Sequence, residues 1–209
     1  MFNRPQFERE TTRTESWQLP KRSGDSLVYI ALGSNLGDRL QNLTFALEAL
    51  KQTSGIIFEK ASAIYETAPV DLSPDEPDPH SFYNAVIAVR SNLAPEALMQ
   101  ACLTVEDHAG RKRGAKPACP DLSYYSRILD LDILLIGNFI QKTPALTVPH
   151  PRFHERAFVL LPFCDIAPDA RHPEKDCTVR DLLELLPPET VAQCQKLPPV
   201  APWRSYQAG

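Results

Sequence analysis

Residues 127–137 read Arg-Ile-Leu-Asp-Leu-Asp-Ile-Leu-Leu-Ile-Gly, and this stretch decides the fold. Branched apolar residues fill it and Gly137-Asn138 closes it, so it predicts a buried strand followed by a turn. Side chains alternate along a strand, which places Asp130 and Asp132 on one face. Two carboxylates there repel each other and are poorly solvated unless something neutralises them. A hard divalent cation, Mg²⁺ above all, takes oxygen ligands and is held by one or two carboxylates plus substrate phosphates. The competing reading is a strand leaving the sheet edge with two solvated aspartates.

The chain around this strand has 209 residues, enough for one domain with a real core. Hydrophobic residues make up 43% and charged residues 23%, as in an ordinary globular protein. The net charge of -4 argues against a nucleic-acid-binding surface. No apolar run reaches the roughly 18 residues of a membrane span, and the charged N-terminus lacks the apolar core of a secretory signal. The cysteines, at 102, 119, 164, 177 and 194, are odd in number and lack metal-type spacing, which predicts reduced thiols in the cytoplasm. Residues 1–25 are polar and aperiodic and predict a flexible extension; residues 26–209 predict a single domain with a proline-rich, irregular tail after Pro187.

Working outward, Ser26 to Leu32 predicts a strand that runs into Gly33-Ser34-Asn35-Leu36-Gly37-Asp38 and a helix with Leu40, Leu43, Leu47 and Leu50 on its apolar stripe. A glycine turn in that setting can offer N–H groups to an anion, but no P-loop lysine follows, and a plain tight turn explains it equally. Ile56 to Thr67 predicts a second strand and Phe82 to Arg90 a third, with Phe82, Asn84, Val86 and Ala88 on one face. The acidic, proline-stiffened segment 68–80 between them reads as a functional loop or as a linker. Asn84 among apolar neighbours needs hydrogen-bond partners, from a ligand or from backbone. Pro95 opens a second helix, with Glu106 beside its buried stripe, and the basic cluster Arg111-Lys112-Arg113-Gly114-Ala115-Lys116 follows.

Beyond Gly137, a short strand is predicted over 139–141, then Leu146-Thr147-Val148-Pro149-His150-Pro151, with Arg152, His154 and Arg156 adding positive charge. Ala157 to Leu161 predicts a short buried helix ending near Pro162, and Thr178-Val179-Arg180-Asp181 a capping box opening another over 182–186. The order is β-α-β-β-α-β. That predicts an α+β fold with a ferredoxin-like βαββαβ core, an antiparallel sheet covered by helices.

At this point the residues resemble a known family. The segments YIALGSNLGDR (29–39), YETAPV (65–70), FYNAV (82–86), VEDHAGRKR (105–113), SRILDLDILLIG (126–137) and LTVPHPRFHERAFVL (146–160) occur in the order found in 6-hydroxymethyl-7,8-dihydropterin pyrophosphokinases. The resemblance implies transfer of a diphosphate from ATP to a pterin alcohol in folate biosynthesis. It implies two Mg²⁺ ions on Asp130 and Asp132, and Glu106 hydrogen-bonding in the nucleotide site. Around the ATP phosphates it implies Arg111, Arg127, His150 and Arg156, with Thr147 nearby. For the pterin it implies Thr67, Val70, Phe82, Asn84 and Phe158, beside the turn Gly33, Ser34 and Asn35. Small-molecule substrates are the implied partners, and a cytoplasmic monomer is expected. The chain departs from the family at Ser123-Tyr124-Tyr125-Ser126, where members commonly carry a basic residue, Trp, Gly and Pro, and at Pro151, where some carry Tyr. One of Tyr124 and Tyr125 is expected to cover the pterin as part of a lid spanning 110–126. Another two-Mg²⁺ phosphotransferase and an inactive nucleotide-binding module are the alternatives.

Overall fold

The computed structural model describes residues 24–68, 81–110 and 127–207. The strand opened by the Asp pair is β5 (Asp130–Ile136), and it lies at one edge of a six-stranded sheet. It pairs antiparallel with β1 (Ser26–Ser34), which pairs antiparallel with β4 (Phe82–Ser91). Along β4 lie β2 (Ile56–Ala61) and β3 (Tyr65–Thr67), and β8 (Cys194–Lys196) adds to β3. A separate ribbon joins β6 (Gln141–Lys142) to β7 (Thr147–Val148).

Both faces of this sheet are covered, which is why its central strands read as nearly continuous apolar runs. On one face Val28, Ile30, Leu32, Ala85, Ile87, Val89, Leu131 and Ile133 meet α1 (Arg39–Gln52) and α2 (Pro95–His108). On the other, Tyr29, Val86, Ala88, Leu134 and Leu135 meet α3 (Ala157–Ile166) and α4 (Val179–Glu184). Consecutive Leu134 and Leu135 share a cluster because the β1–β5 register shifts between Tyr29 and Ile30, a bulge that inserts one extra residue in β5.

The local signals explain the helix ends. Asp38 caps α1, its carboxylate accepting from the Gln41 N–H at 2.9 Å. Gly37 has φ +65°, a left-handed turn that a side chain would strain. Thr178 and Asp181 form the expected capping box of α4.

Four expectations are corrected. The second strand is two, because Ser62 breaks the run: its hydroxyl accepts from the Val86 N–H at 2.9 Å and donates to the Ala63 carbonyl at 2.7 Å. The helix at 157 passes through Pro162 to Ile166; the lost N–H is offset by burial of Phe163 and Ile166. The tail is ordered, not irregular. It forms α5 (Pro188–Ala192), β8 and a 3₁₀ turn at Trp203–Tyr206. Trp203 is wholly buried, its indole donating to the Ser62 carbonyl at 2.9 Å. Apolar burial across the whole sheet, not local propensity, holds that segment. The expected strand at 139–141 is likewise shifted, to β6.

Candidate active site

Strand pairing brings the chemistry to one end of the sheet. Tyr65 stands opposite Asn84, Asn84 opposite Gly33, and Gly33 opposite Asp130, so these four form one row across four strands. Ala31 opposite Asp132 belongs to the next row, and Thr67 opposite Phe82 flanks the first. Alternation puts all of them on the face that carries α3. Gly33 matters at its place in the row: a Cβ there would stand 3.4 Å from Asn84 Oδ1. Asn84 is 7% exposed and its Nδ2 donates to Thr67 Oγ1 at 2.9 Å. A buried amide thus lies in the same row as Asp130, two strands away, with one donor held by Thr67.

The Asp pair is surrounded by cations that do not fully neutralise it. Arg127 pairs with Asp130 through Nη1 and Oδ2. Arg156 Nη1 and His150 Nε2 stop 3.9 and 3.8 Å from Asp132 Oδ2, the outer limit of ion-pair contact. Burial and the neighbouring Asp130 push the Asp132 carboxyl up to about 6, although Arg156 and Arg127 pull the other way. Burial and the charge of Arg156 hold the His150 imidazole down, at about 4. His150 is therefore neutral at pH 7. Its Nδ1 accepts from the Arg152 N–H at 3.2 Å, which assigns the proton to Nε2, the nitrogen nearer Asp132. Arg156 Nε is buried and has no hydrogen-bond partner among the described residues. An orphaned cationic donor beside two recessed carboxylates suits an anionic ligand bound together with a cation. Among the described residues no group of three or more His, Cys, Asp or Glu could hold a metal, so a cation here would need oxygen atoms from substrate or water.

The comparisons fit this geometry. The model of the 7,8-dihydro-6-hydroxymethylpterin-pyrophosphokinase (HPPK) family matches residues 29–168, two thirds of the chain. The chain belongs to the HPPK family. The 2-amino-4-hydroxy-6-hydroxymethyldihydropteridine pyrophosphokinase of Pseudomonas aeruginosa is 40% identical over 159 residues, 76% of this chain and 89% of that one. The enzyme of the same name from Porphyromonas gingivalis is 38% identical over 150 residues, 71% and 95% of the two chains. The folic acid synthesis protein FOL1 of Dictyostelium discoideum is 34% identical over 165 residues, 79% of this chain. The chain spans only 23% of that relative's length. A crystal structure of an HPPK-DHPS in complex with substrates superposes with TM-score 0.58 over 78% of this chain and 43% of that one, at 14% identity, a likeness of fold.

The HPPK site expected from sequence is partly assembled here. Asp130, Asp132, Arg127, His150 and Arg156 converge as described. Phe158, half-buried, has the Arg156 guanidinium 5.7 Å from its ring centre. Phe82 begins β4, and Thr147 sits on the β6–β7 ribbon with its hydroxyl 3.5 Å from the Thr143 carbonyl. Val70, Arg111 and Tyr124, with Tyr125 and the rest of the expected lid from 111 onward, lie outside the described residues.

Three of the expected site residues make structural contacts within the protein. Ser34 is wholly buried on the α1 side; it donates to the Ile128 carbonyl at 2.6 Å and accepts from Asn42 Nδ2 at 3.0 Å. Asn35 clamps the Arg127 backbone: its Oδ1 accepts from the Arg127 N–H at 2.6 Å, and its own N–H donates to the Arg127 carbonyl at 3.1 Å. Glu106 is 1% exposed, and its Oε1 accepts from the Leu131 N–H at 2.7 Å. That N–H lies on the open edge of β5, between the two aspartates, so Glu106 satisfies a donor the sheet leaves unpaired. Glu106→Ala is expected to lower stability by about 1–3 kcal/mol by stranding that donor. Glu106→Gln keeps an acceptor there and should lose much less. Chemical denaturation of the two variants checks the ordering.

Sequence reading also missed a network at the far side of the row. Asp165 accepts from the Tyr65 hydroxyl at 3.1 Å, the Ala63 N–H at 3.2 Å and Lys196 Nζ at 2.8 Å. Burial and Asp165 raise the Tyr65 phenol, so it stays a proton donor. Residues 100 positions apart carry no local pattern that could have announced this contact.

Proposed function

We propose that this HPPK-family chain transfers a diphosphate from ATP to the hydroxymethyl group of 6-hydroxymethyl-7,8-dihydropterin, releasing AMP. The observation that carries the reading is the row across the sheet. It sets a buried amide, Asn84, two strands away from a carboxylate pair ringed by Arg127, His150 and Arg156. A flat heteroaromatic ring needs an amide for its polar edge and an aromatic wall, which Asn84 with Phe82 and Phe158 supplies. Diphosphoryl transfer asks little covalent chemistry of the protein; positioning and charge stabilisation dominate.

Two Mg²⁺ ions fit this donor set. Asp130 and Asp132 offer carboxylate oxygens on one strand face, and burial, followed by the charge of Asp130, raises the Asp132 carboxyl despite the nearby arginines. Such ions, held by Asp130 and Asp132, would supply positive charge that offsets the charge of phosphate groups. Arg127 orients Asp130, and Asn35 fixes the Arg127 backbone. Arg156 brings its Nη1 to 3.9 Å from Asp132 Oδ2, where its guanidinium would serve as a donor for phosphate oxygens. Neutral His150 donates through Nε2–H without adding charge.

The same reading includes the ferredoxin-like description of the core, supported by the strand order β5-β1-β4 with β2 and β3 beyond, all antiparallel. It includes a cytoplasmic monomer. No described helix is long and apolar enough to cross a membrane.

Product analysis tests the proposal. Incubation with ATP, Mg²⁺ and the pterin alcohol should release AMP without ADP, and AMP release should stop when the pterin is omitted. ADP as the product would replace this reading with an ordinary phosphotransferase.

A further inference from the structure

Arg39 opens α1 on the face of the sheet opposite the site, and it gathers both strands that carry the amide pocket. Its Nη1 donates to Glu66 Oε1 at 2.9 Å and to the Ser81 carbonyl at 2.8 Å, and it also reaches the Ser81 hydroxyl. Ser81 donates in turn to the same Glu66 oxygen. The guanidinium lies over the Tyr83 ring, 3.8 Å from its centre. Glu66 is the neighbour of Thr67 in β3, and Ser81 and Tyr83 flank Phe82 in β4. Alternation turns Glu66 and Tyr83 to the α1 face while Thr67, Phe82 and Asn84 face the site. The Nη1 of Arg39, together with the flat face of its guanidinium on Tyr83, therefore ties together the backs of the residues whose fronts would meet the pterin. The cluster is only partly exposed, 24% for the Arg39 side chain and 30% for that of Glu66. The Glu66 carboxyl is held below its usual range by the Ser81 hydroxyl and by Arg39.

We infer that Arg39, through Glu66 and Ser81, is a positioning residue that sets the spacing of Thr67 on β3 against Phe82 and Asn84 on β4, and so the affinity for the pterin ring but not for ATP. The inference rests on the function proposed above. Among the described residues, Arg39 spends no donor on the phosphate side: the carboxylates and their cations stand on the other face of β1 and β5. A pocket that recognises a rigid ring by hydrogen bonds loses affinity steeply when its walls shift by a fraction of an ångström, whereas flexible phosphates adapt. A lysine in place of Arg39 could keep the charge pair with Glu66 but has neither the fork nor the flat face that lies on Tyr83.

Arg39→Ala, Arg39→Lys, Glu66→Gln and the Arg39→Ala/Glu66→Gln double variant test this by calorimetric titration with the pterin alcohol and, separately, with a nonhydrolysable ATP analogue and Mg²⁺. Hydrogen exchange of the ligand-free variants is the second readout. Arg39→Ala is expected to weaken pterin binding about tenfold or more, with ATP-analogue affinity within about twofold of the parent. Arg39→Lys should recover part of the loss, and the double variant should be no worse than Arg39→Ala, because the groups act as one unit. Exchange at the amides of residues 66, 67, 82 and 83 should quicken in the ligand-free Arg39→Ala protein. Equal weakening of both ligands, or unchanged pterin affinity, overturns the inference. If the parent protein binds no pterin and releases no AMP, the proposed function is what fails; unchanged exchange at these four amides then overturns the clamp on its own.

Discussion

Asp132→Asn is expected to abolish diphosphate transfer while leaving the protein at least as stable as the parent. The two effects have one cause. Asp130 and Asp132 share a strand face, and the carboxyl of Asp132 is raised to about 6 by burial and by Asp130. Its folded value lies above the unfolded one, about 4 for a free aspartate. The stability linked to this group is therefore fully present below about pH 4 and lost as pH rises through about 6. At pH 7–8 the charged form is a burden on the fold. Asparagine keeps the size and removes the charge, so it should raise stability by roughly 1 kcal/mol once the 38% exposure of the side chain is discounted. Turnover should fall by at least about 10²–10³-fold, the scale of losing one aligned electrostatic group. Asp130→Asn should lose as much activity with less gain in stability, because Asp130 already has Arg127 as a partner. Steady-state AMP release at saturating Mg²⁺ and thermal melts at pH 5 and pH 8 check the pair. Near-normal turnover in either variant would remove the metal assignment. A melting temperature for Asp132→Asn below the parent's at pH 8 would show that the carboxylate is well neutralised without a metal.

Asn84→Ala should separate the two substrates. The amide is buried and spends one donor on Thr67, leaving its carbonyl beside Gly33. Each ring group that loses its partner costs about 1–3 kcal/mol, so pterin affinity should fall at least about tenfold. The ATP analogue should bind within about twofold of the parent. Titration of both ligands into the same preparation checks this, and equal weakening would make Asn84 a structural residue. Asn84→Asp is the sharper probe. It keeps the shape, removes both N–H donors and adds a charge two strands from Asp130, so it should damage pterin binding as much as alanine does.

Much of this was legible in the order of residues. Period-two alternation in Arg127–Gly137 gives β5 and the shared face of its aspartates without any tertiary information. The same alternation in 82–90 puts Asn84 with Phe82 on one side. The family motifs, spread over 29–160, carry the proposed chemistry. Tertiary structure decided what those motifs face. Ser34 and Asn35 sit one and two residues past Gly33 in a single motif, yet Ser34 faces α1 and Asn35 holds the Arg127 backbone. Glu106 reads as a ligand group from its motif but spends an oxygen on the open edge of β5, a need that exists only once β5 is known to be the edge strand. The tail looks structureless because its prolines carry no period. It is ordered because Trp203 finds an apolar slot and β3 offers β8 an unpaired edge. Local pattern sets which way a side chain points on its own element. Which donor is left unpaired, and which distant segment answers it, is settled only when the sheet closes over both its faces.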